Sequence, residues 1–135
     1  MRWVVSVKGV LVVEGSVLLG LNDRGEWELP GGQLEEGEQP RQTVVRELAE
    51  ETSLVVDAGR ILLADTFDVV PGRTVLVVAY ECTAVGSLDV RASAEHEALR
   101  WTPLGELDAI ALPGIYRRAV AAALVDDAEA LRDAR

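Results

Sequence analysis

From Pro40 to Thr52 nothing breaks a helix, and on both sides of that segment the chain runs in β-branched stretches stopped by glycine and proline. A helix set between strands confines the chain to a mixed architecture, because each element must bury its apolar face on another. Pro40 suits the first helical turn, where a missing amide donor costs nothing. Upstream, Trp3 to Val13 reads as a strand, Glu14-Gly15-Ser16 as a turn, and Val17 to Leu21 as a second strand. The polar loop Asn22 to Glu26 leads to a short strand, Trp27-Glu28-Leu29, stopped by Pro30-Gly31-Gly32. The acidic run Gln33 to Gln39 then reads as an exposed loop. Downstream, strands are expected over Gly59 to Val70 and Arg73 to Thr83, joined around Pro71-Gly72, with a last short one over Ala98 to Thr102. A second helix is expected from Pro113, packing Ile115, Ala119, Ala122 and Ala123 against the sheet.

At 135 residues the chain has the size of one domain. Its 13 basic residues against 23 acidic ones argue against a nucleic-acid polymer or an anionic membrane surface as partner. An anionic substrate then requires a cation or a local cluster of arginines. The single cysteine, Cys82, excludes an internal disulfide, cannot build a zinc site alone, and lies in an apolar run as a small buried hydrophobe. No apolar stretch approaches the roughly 18 residues of a membrane span. Lys8 stands where a signal peptide needs its apolar centre, so a cytoplasmic setting is expected.

The strongest chemical signal is Arg46-Glu47-Leu48-Ala49-Glu50-Glu51. On a helix Glu47, Glu50 and Glu51 fall within an arc of about 100°, with Val45, Leu48 and Ala49 expected on the inward side. Like charges at these spacings oppose the helix by a few tenths of a kcal/mol per pair, and the last turn prefers cations. A hard divalent cation, Mg²⁺ or Mn²⁺, reverses both penalties. A solvated acidic face balanced by Arg41 and Arg46 is the alternative.

The full run reads Gly32, five residues, Glu38, seven residues, then Arg46-Glu47-Leu48-Ala49-Glu50-Glu51-Thr52-Ser53-Leu54. It resembles the Nudix hydrolases, whose signature is G-x5-E-x7-R-E-U-x-E-E-x-G-U, with U a bulky aliphatic. Only Ser53 departs, standing where the family has glycine. The match covers residues 32–54, and the flanking strand pattern extends the likeness over most of the chain as a single domain, 1–135.

The resemblance implies an α+β fold, an α/β/α sandwich with a mixed sheet between helices. It implies hydrolysis of a nucleoside diphosphate linked to another moiety, either a nucleoside triphosphate or a nucleotide sugar such as ADP-ribose, with Mg²⁺ as cofactor and Mn²⁺ as substitute. By resemblance, the Gly31 carbonyl joins Glu50 and Glu51 as a metal ligand, and Glu47 is another ligand or the base for water. Glu38 and Arg46 orient the carboxylates, and Gly32 lets the backbone bend. A further carboxylate is expected before a tryptophan-bearing strand, where Glu95 and Glu97 precede Trp101, Glu95 being preferred as a catalytic group. His96 beside them titrates near neutrality. Arg24 is a candidate phosphate contact, and Pro71 lies near a proline position of ADP-ribose hydrolases. Trp3, Phe67 and Tyr80 are candidates for stacking a base or filling the core, with Phe67 carried forward as a substrate contact. Trp27 and Trp101 read as packing residues. Ser53 is expected to adopt a left-handed conformation at about 1 kcal/mol. A non-catalytic nucleotide sensor on the same fold and a plain acidic interaction domain are the competing readings. The final helix or a strand edge would allow a homodimer.

Overall fold

Strands β1 (Val5–Val13) and β2 (Ser16–Leu21) form an antiparallel hairpin in which Val13 faces Ser16. Its two-residue turn has positive φ at both centres, 49° at Glu14 and 78° at Gly15, which matches the right-handed twist of the flanking strands. The computed structural model describes residues 2–91 and 98–125. After β2 come β3 (Trp27–Glu28), β4 (Gly31–Gln33), helix α1 (Pro40–Thr52), β5 (Val56–Val70), β6 (Arg73–Ala84), β7 (Ala98–Pro103), a 3-10 turn over Leu104–Ala109 and helix α2 (Gly114–Ala123). The sheet is ordered β3-β2-β1-β6-β5, with β4 added beside β1 and β7 beside β2. Among the described residues only β1 and β6 pair in parallel, from Val5 opposite Leu76 to Leu11 opposite Cys82, so the sheet is mixed as expected.

Alternation along β1 separates two cores. Val7 and Leu11 face α1 and join Val44, Leu48, Leu54, Tyr80 and Cys82. Val10 faces the other way and joins Val77, Ala79, Ile115, Ala119 and Val120 beneath α2. One helix therefore covers each face. Gly9 sets how closely α1 approaches, because a Cβ there would lie 3.0–3.2 Å from Cys82 Sγ, Val44 Cγ2 and Leu48 Cδ1. The Cys82 thiol packs in this layer, and burial pushes its pKa up to about 12. It is the inert hydrophobe expected of it.

Four local expectations change. Gly31–Gln33 is not a plain stop after β3, because it returns as strand β4, antiparallel to β1 with Lys8 opposite Gly31. The buried side of α1 is Thr43, Val44, Glu47, Leu48, Glu51 and Thr52, whereas Ala49 is exposed and Val45 half-buried. Two of the carboxylates expected to face solvent therefore point inward. On α2 the inward stripe is Ile115, Tyr116, Ala119 and Val120, with Ala122 and Ala123 only half-buried. Trp3 is 54% exposed ahead of β1, so it does not fill the core, whereas Tyr80 does. Pro71 and Gly72 form the turn of the β5–β6 hairpin, with Gly72 at φ 81°. No helix among the described residues is long and apolar enough to cross a membrane.

Candidate active site

Helix α1 starts where the Gln39 amide donates to Gln42 Oε1 at 2.8 Å, a side chain in the first turn satisfying a donor left open by the helix. It ends at Ser53, whose φ of 66° and ψ of 12° are left-handed and whose amide donates to the Ala49 carbonyl. This is the conformation the glycine of the motif would take, so the serine keeps the helix end in place. Thr52 Oγ1 donates to the Leu48 carbonyl at 2.6 Å and accepts from the Leu54 amide at 3.2 Å, tying the last turn to the chain that leaves it.

Burial of Glu47 and Glu51, 9% and 2% exposed, is made tolerable by the backbone that faces them. The Gly31 amide donates to Glu51 Oε2 at 3.1 Å. Gly31 has a φ of 150°, and a Cβ on it would overlap the Val7 carbonyl and the Lys8 backbone. A Cβ on Gly32 would overlap the Glu47 carboxylate. The glycine pair thus forms a side-chain-free strand on which two helix carboxylates rest. No residue with a side chain fits either position without moving β1 or Glu47.

Arg46 organises the outer half of the cluster. Its Nε and Nη2 donate to the two Glu38 oxygens at 2.7 and 3.0 Å, a fork-on-fork pair. Its Nη1 donates to Glu47 Oε1 at 2.9 Å and to Glu50 Oε2 at 3.2 Å, and its Nη2 reaches the Gln33 carbonyl. The Arg46 hydrogen bonds hold the Glu38 carboxyl down at about 2, helped by the Glu35 amide and Thr43. Glu38, Glu47 and Glu50 are thereby drawn to one cation.

Two charged groups belong to no motif, one buried and one half-buried. Lys8 is 7% exposed, with Nζ 5.8 Å from the centre of the Tyr116 ring, and Glu28 accepts from Asn22 Nδ2 at 3.3 Å. Burial lowers the Lys8 pKa, but Tyr116, Glu28, Glu51 and Glu47 outweigh it and the net direction is upward. A lysine sharing the inward parity of Val10 within a β-branched strand is the sequence signal that marks such a residue. Arg24 lies outside the cluster in the Asn22 loop, with Nε 3.4 Å from Glu26 and Nη1 3.7 Å from Asp23. Phe67 packs edge-on against Tyr116 on the α2 side, centroids 5.6 Å apart at 66°. Tyr80 is buried on the α1 side beneath the Arg41 guanidinium. Trp27 and Trp101 pack against the two cores, as expected. Glu95, His96 and Glu97 lie outside the described residues.

The donor set suits a hard divalent cation. Three carboxylates and a glycine carbonyl would offer only oxygen donors, and two of those carboxylates are buried. Among the described residues no three acidic side chains already converge as a finished metal site. Arg46 Nη1 instead sits between Glu47 and Glu50 and holds them within reach of one positive charge.

The family model of the NUDIX domain matches residues 3–127. A MutT-like protein of Streptomyces ambofaciens is 37% identical over 101 residues, covering 72% of this chain and 62% of that one, less than two-thirds of its length. A putative 8-oxo-dGTP diphosphatase 2 of Mycobacterium tuberculosis is 35% identical over 108 residues, covering 75% of this chain and 74% of that one. The crystal structure of a MutT protein from Methanosarcina mazei superposes with a TM-score of 0.76 at 26% identity, over 89% of this chain and 91% of that one. The glycine strand under a carboxylate helix, the arginine that gathers its glutamates and a match over nearly the whole chain lead to one assignment: the chain belongs to the NUDIX family of hydrolases.

Proposed function

We propose that this protein is a Mg²⁺-dependent pyrophosphohydrolase that cleaves a nucleoside diphosphate linked to another moiety. The carrying observation is the seating of Glu47 and Glu51 on the Gly31–Gly32 strand, with Glu50 drawn alongside by Arg46. Among substrates we favour a nucleoside triphosphate over a nucleotide sugar. The 35% identical relative carries the name of an 8-oxo-dGTP diphosphatase, and Pro71, which hinted at ADP-ribose, is taken up by an ordinary hairpin turn.

In this reading Glu47, Glu50, Glu51 and the Gly31 carbonyl hold the metal, with Glu95 or Glu97 as a further ligand. Bound Mg²⁺, or Mn²⁺ in its place, supplies charge neutralisation at the phosphate oxygens and a lowered pKa for the attacking water. The Gly31 amide aims Glu51 Oε2, while Arg46, anchored by Glu38, sets the rotamers of Glu47 and Glu50. A carboxylate, Glu47 or Glu95, takes the proton of water as it attacks one phosphorus, and the other phosphate leaves with its group. Positioning and electrostatics carry the in-line displacement, with no covalent enzyme intermediate. Arg24 is the proposed phosphate contact: its partners are carboxylates on an exposed loop, which a phosphate can replace. Phe67, half-buried beside Tyr116, is the proposed base contact. The whole chain acts as one catalytic domain on a small nucleotide.

The test is phosphate release from nucleoside triphosphates, oxidised nucleotides, nucleotide sugars and dinucleoside polyphosphates, with and without Mg²⁺ or Mn²⁺ and with a coupling phosphatase. Metal-dependent turnover of one class is expected. Glu50→Gln should lower kcat on the order of a thousandfold while leaving the melting curve intact. A variant that turns over at the wild-type rate would remove Glu50 from the site.

A further inference from the structure

The loop joining β2 to β3, residues 22–26, closes around one buried side chain, that of Asn22. Its Oδ1 accepts from the amides of Arg24 at 2.9 Å and Glu26 at 3.0 Å, and its Nδ2 donates to Glu28 Oε2 at 3.3 Å. The backbone of Asn22 closes the same loop. Its amide donates to the Glu26 carbonyl at 2.9 Å, and its carbonyl accepts from the Gly25 amide at 3.2 Å. Gly25 makes the reversal with a φ of 77°. These partners fix which way the Asn22 amide faces, because turned over its NH₂ would meet two N–H donors and its oxygen a carboxylate. They also account for the residue type. An aspartate would set a second carboxylate against Glu28, and an alanine would take the acceptor from two loop amides.

We infer that Asn22 is a positioning residue for substrate binding: by holding the backbone of Arg24 it presents that guanidinium to a substrate phosphate from a fixed point. This rests on the reading of Arg24 as the phosphate contact. Loops that cradle a phosphate do so with amides turned outward. Here the amides of Arg24, Gly25 and Glu26 are all turned in, onto Asn22. Anion binding by this loop therefore falls to the Arg24 side chain, whose place is only as well defined as the backbone beneath it. That side chain is partly exposed, and the carboxylates beside it, Asp23 and Glu26, belong to the same loop and move with it. Asn22 instead ties the loop to the sheet, through Glu28 on β3. A loop held in advance loses less freedom when a phosphate binds, and the difference reads out as affinity.

The experiment measures KM and kcat for wild type, Arg24→Ala, Asn22→Ala and the double variant, with whichever nucleoside triphosphate the wild type turns over fastest in Mg²⁺. Arg24→Ala should raise KM about tenfold, the loss of one charge-assisted contact. Asn22→Ala should raise KM about fivefold with kcat within about twofold of wild type, because the carboxylate cluster is untouched. The double variant should match Arg24→Ala alone, since Asn22 acts through that side chain. Asn22→Ser, whose hydroxyl accepts from the Arg24 amide more weakly, should recover part of the loss. Penalties that multiply in the double variant, or a fall in kcat at unchanged KM in Asn22→Ala, overturn the inference and leave Arg24 in its role. A wild-type KM in Arg24→Ala overturns both, as does a wild type that turns over no triphosphate. Should the Asn22 variants fail to fold, hydrogen exchange in the wild type decides. The amides of Arg24 and Glu26 should exchange at least about tenfold more slowly than unstructured amides. Exchange at the unstructured rate overturns the inference.

Discussion

Two arginines, Arg46 and Arg60, each gather several oxygens, and the difference lies in what those oxygens can do. Arg46 on α1 binds Glu38, Glu47 and Glu50. Arg60 on β5 reaches Glu81 on β6 and donates to the carbonyls of Ala122, Ala123 and Val125 at the end of α2, the last at 2.6 Å. Among the described residues, the partners of Arg60 include three backbone carbonyls at a helix C-terminus, where a cation meets the negative end of the macrodipole. They are fixed in the fold and cannot be handed to another ion. The partners of Arg46 are side-chain carboxylates that can rotate toward a metal. The same guanidinium fork serves architecture at one place and chemistry at the other.

Arg46→Lys is the larger of the two tests of that comparison. A lysine keeps the charge but offers one point where the guanidinium spans Glu38, Glu47 and Glu50. The loss in kcat/KM should be about 10- to 100-fold, the usual cost of removing a group that orients metal ligands, with a melting temperature close to wild type. Full activity in this variant would mean that the carboxylates hold their rotamers without the fork. Arg60→Met should show the converse. Losing the contacts to the α2 carbonyls should cost about 2 kcal/mol of stability, on the order of 5–10 °C in melting temperature. Activity at low temperature should stay within about twofold, since Glu81 and the α2 carbonyls that Arg60 binds among the described residues are not part of the site. A large loss of activity in a still-folded Arg60→Met would break the division between the two arginines.

The helix, its spacing and the family were legible because they depend on local chemistry: a proline start, no breaker before Thr52 and acids at fixed intervals. The inward face of α1 was not. Val45 and Ala49 are apolar by composition, yet Glu47 and Glu51 take the buried side because glycine backbone meets them there. That compensation comes from a strand about fifteen residues upstream, and a helical periodicity cannot report it. Strand β4 hid for a related reason. Glycine is depleted in strands, so Pro30-Gly31-Gly32 reads as a turn. The fold needs those glycines in a strand because β1 and Glu47 leave no room for a side chain. Lys8 stood in plain view in a β-branched run, but its burial beside Tyr116 depends on α2 packing over that face of the sheet. Where a charge in the sequence is balanced by backbone or by a distant element, local reading gives its position and not its role.

The smallest expected effect concerns the helix end that both halves of this comparison leave untouched. Ser53 holds a φ of 66° with a side chain, at a cost of about 1 kcal/mol relative to glycine. Its amide already makes the closing bond to Ala49, and it is exposed, so Ser53→Gly removes strain without removing a contact the helix uses. Glycine also has more freedom to lose on folding, which offsets part of the gain. The net stabilisation should therefore fall below about 1 kcal/mol, or roughly 2–4 °C in melting temperature. Turnover should be equal or modestly raised, because Glu50 and Glu51 lie in the last turn and inherit the precision of its end. A marked fall in activity would show that the serine hydroxyl, rather than the left-handed backbone, is what this helix end requires.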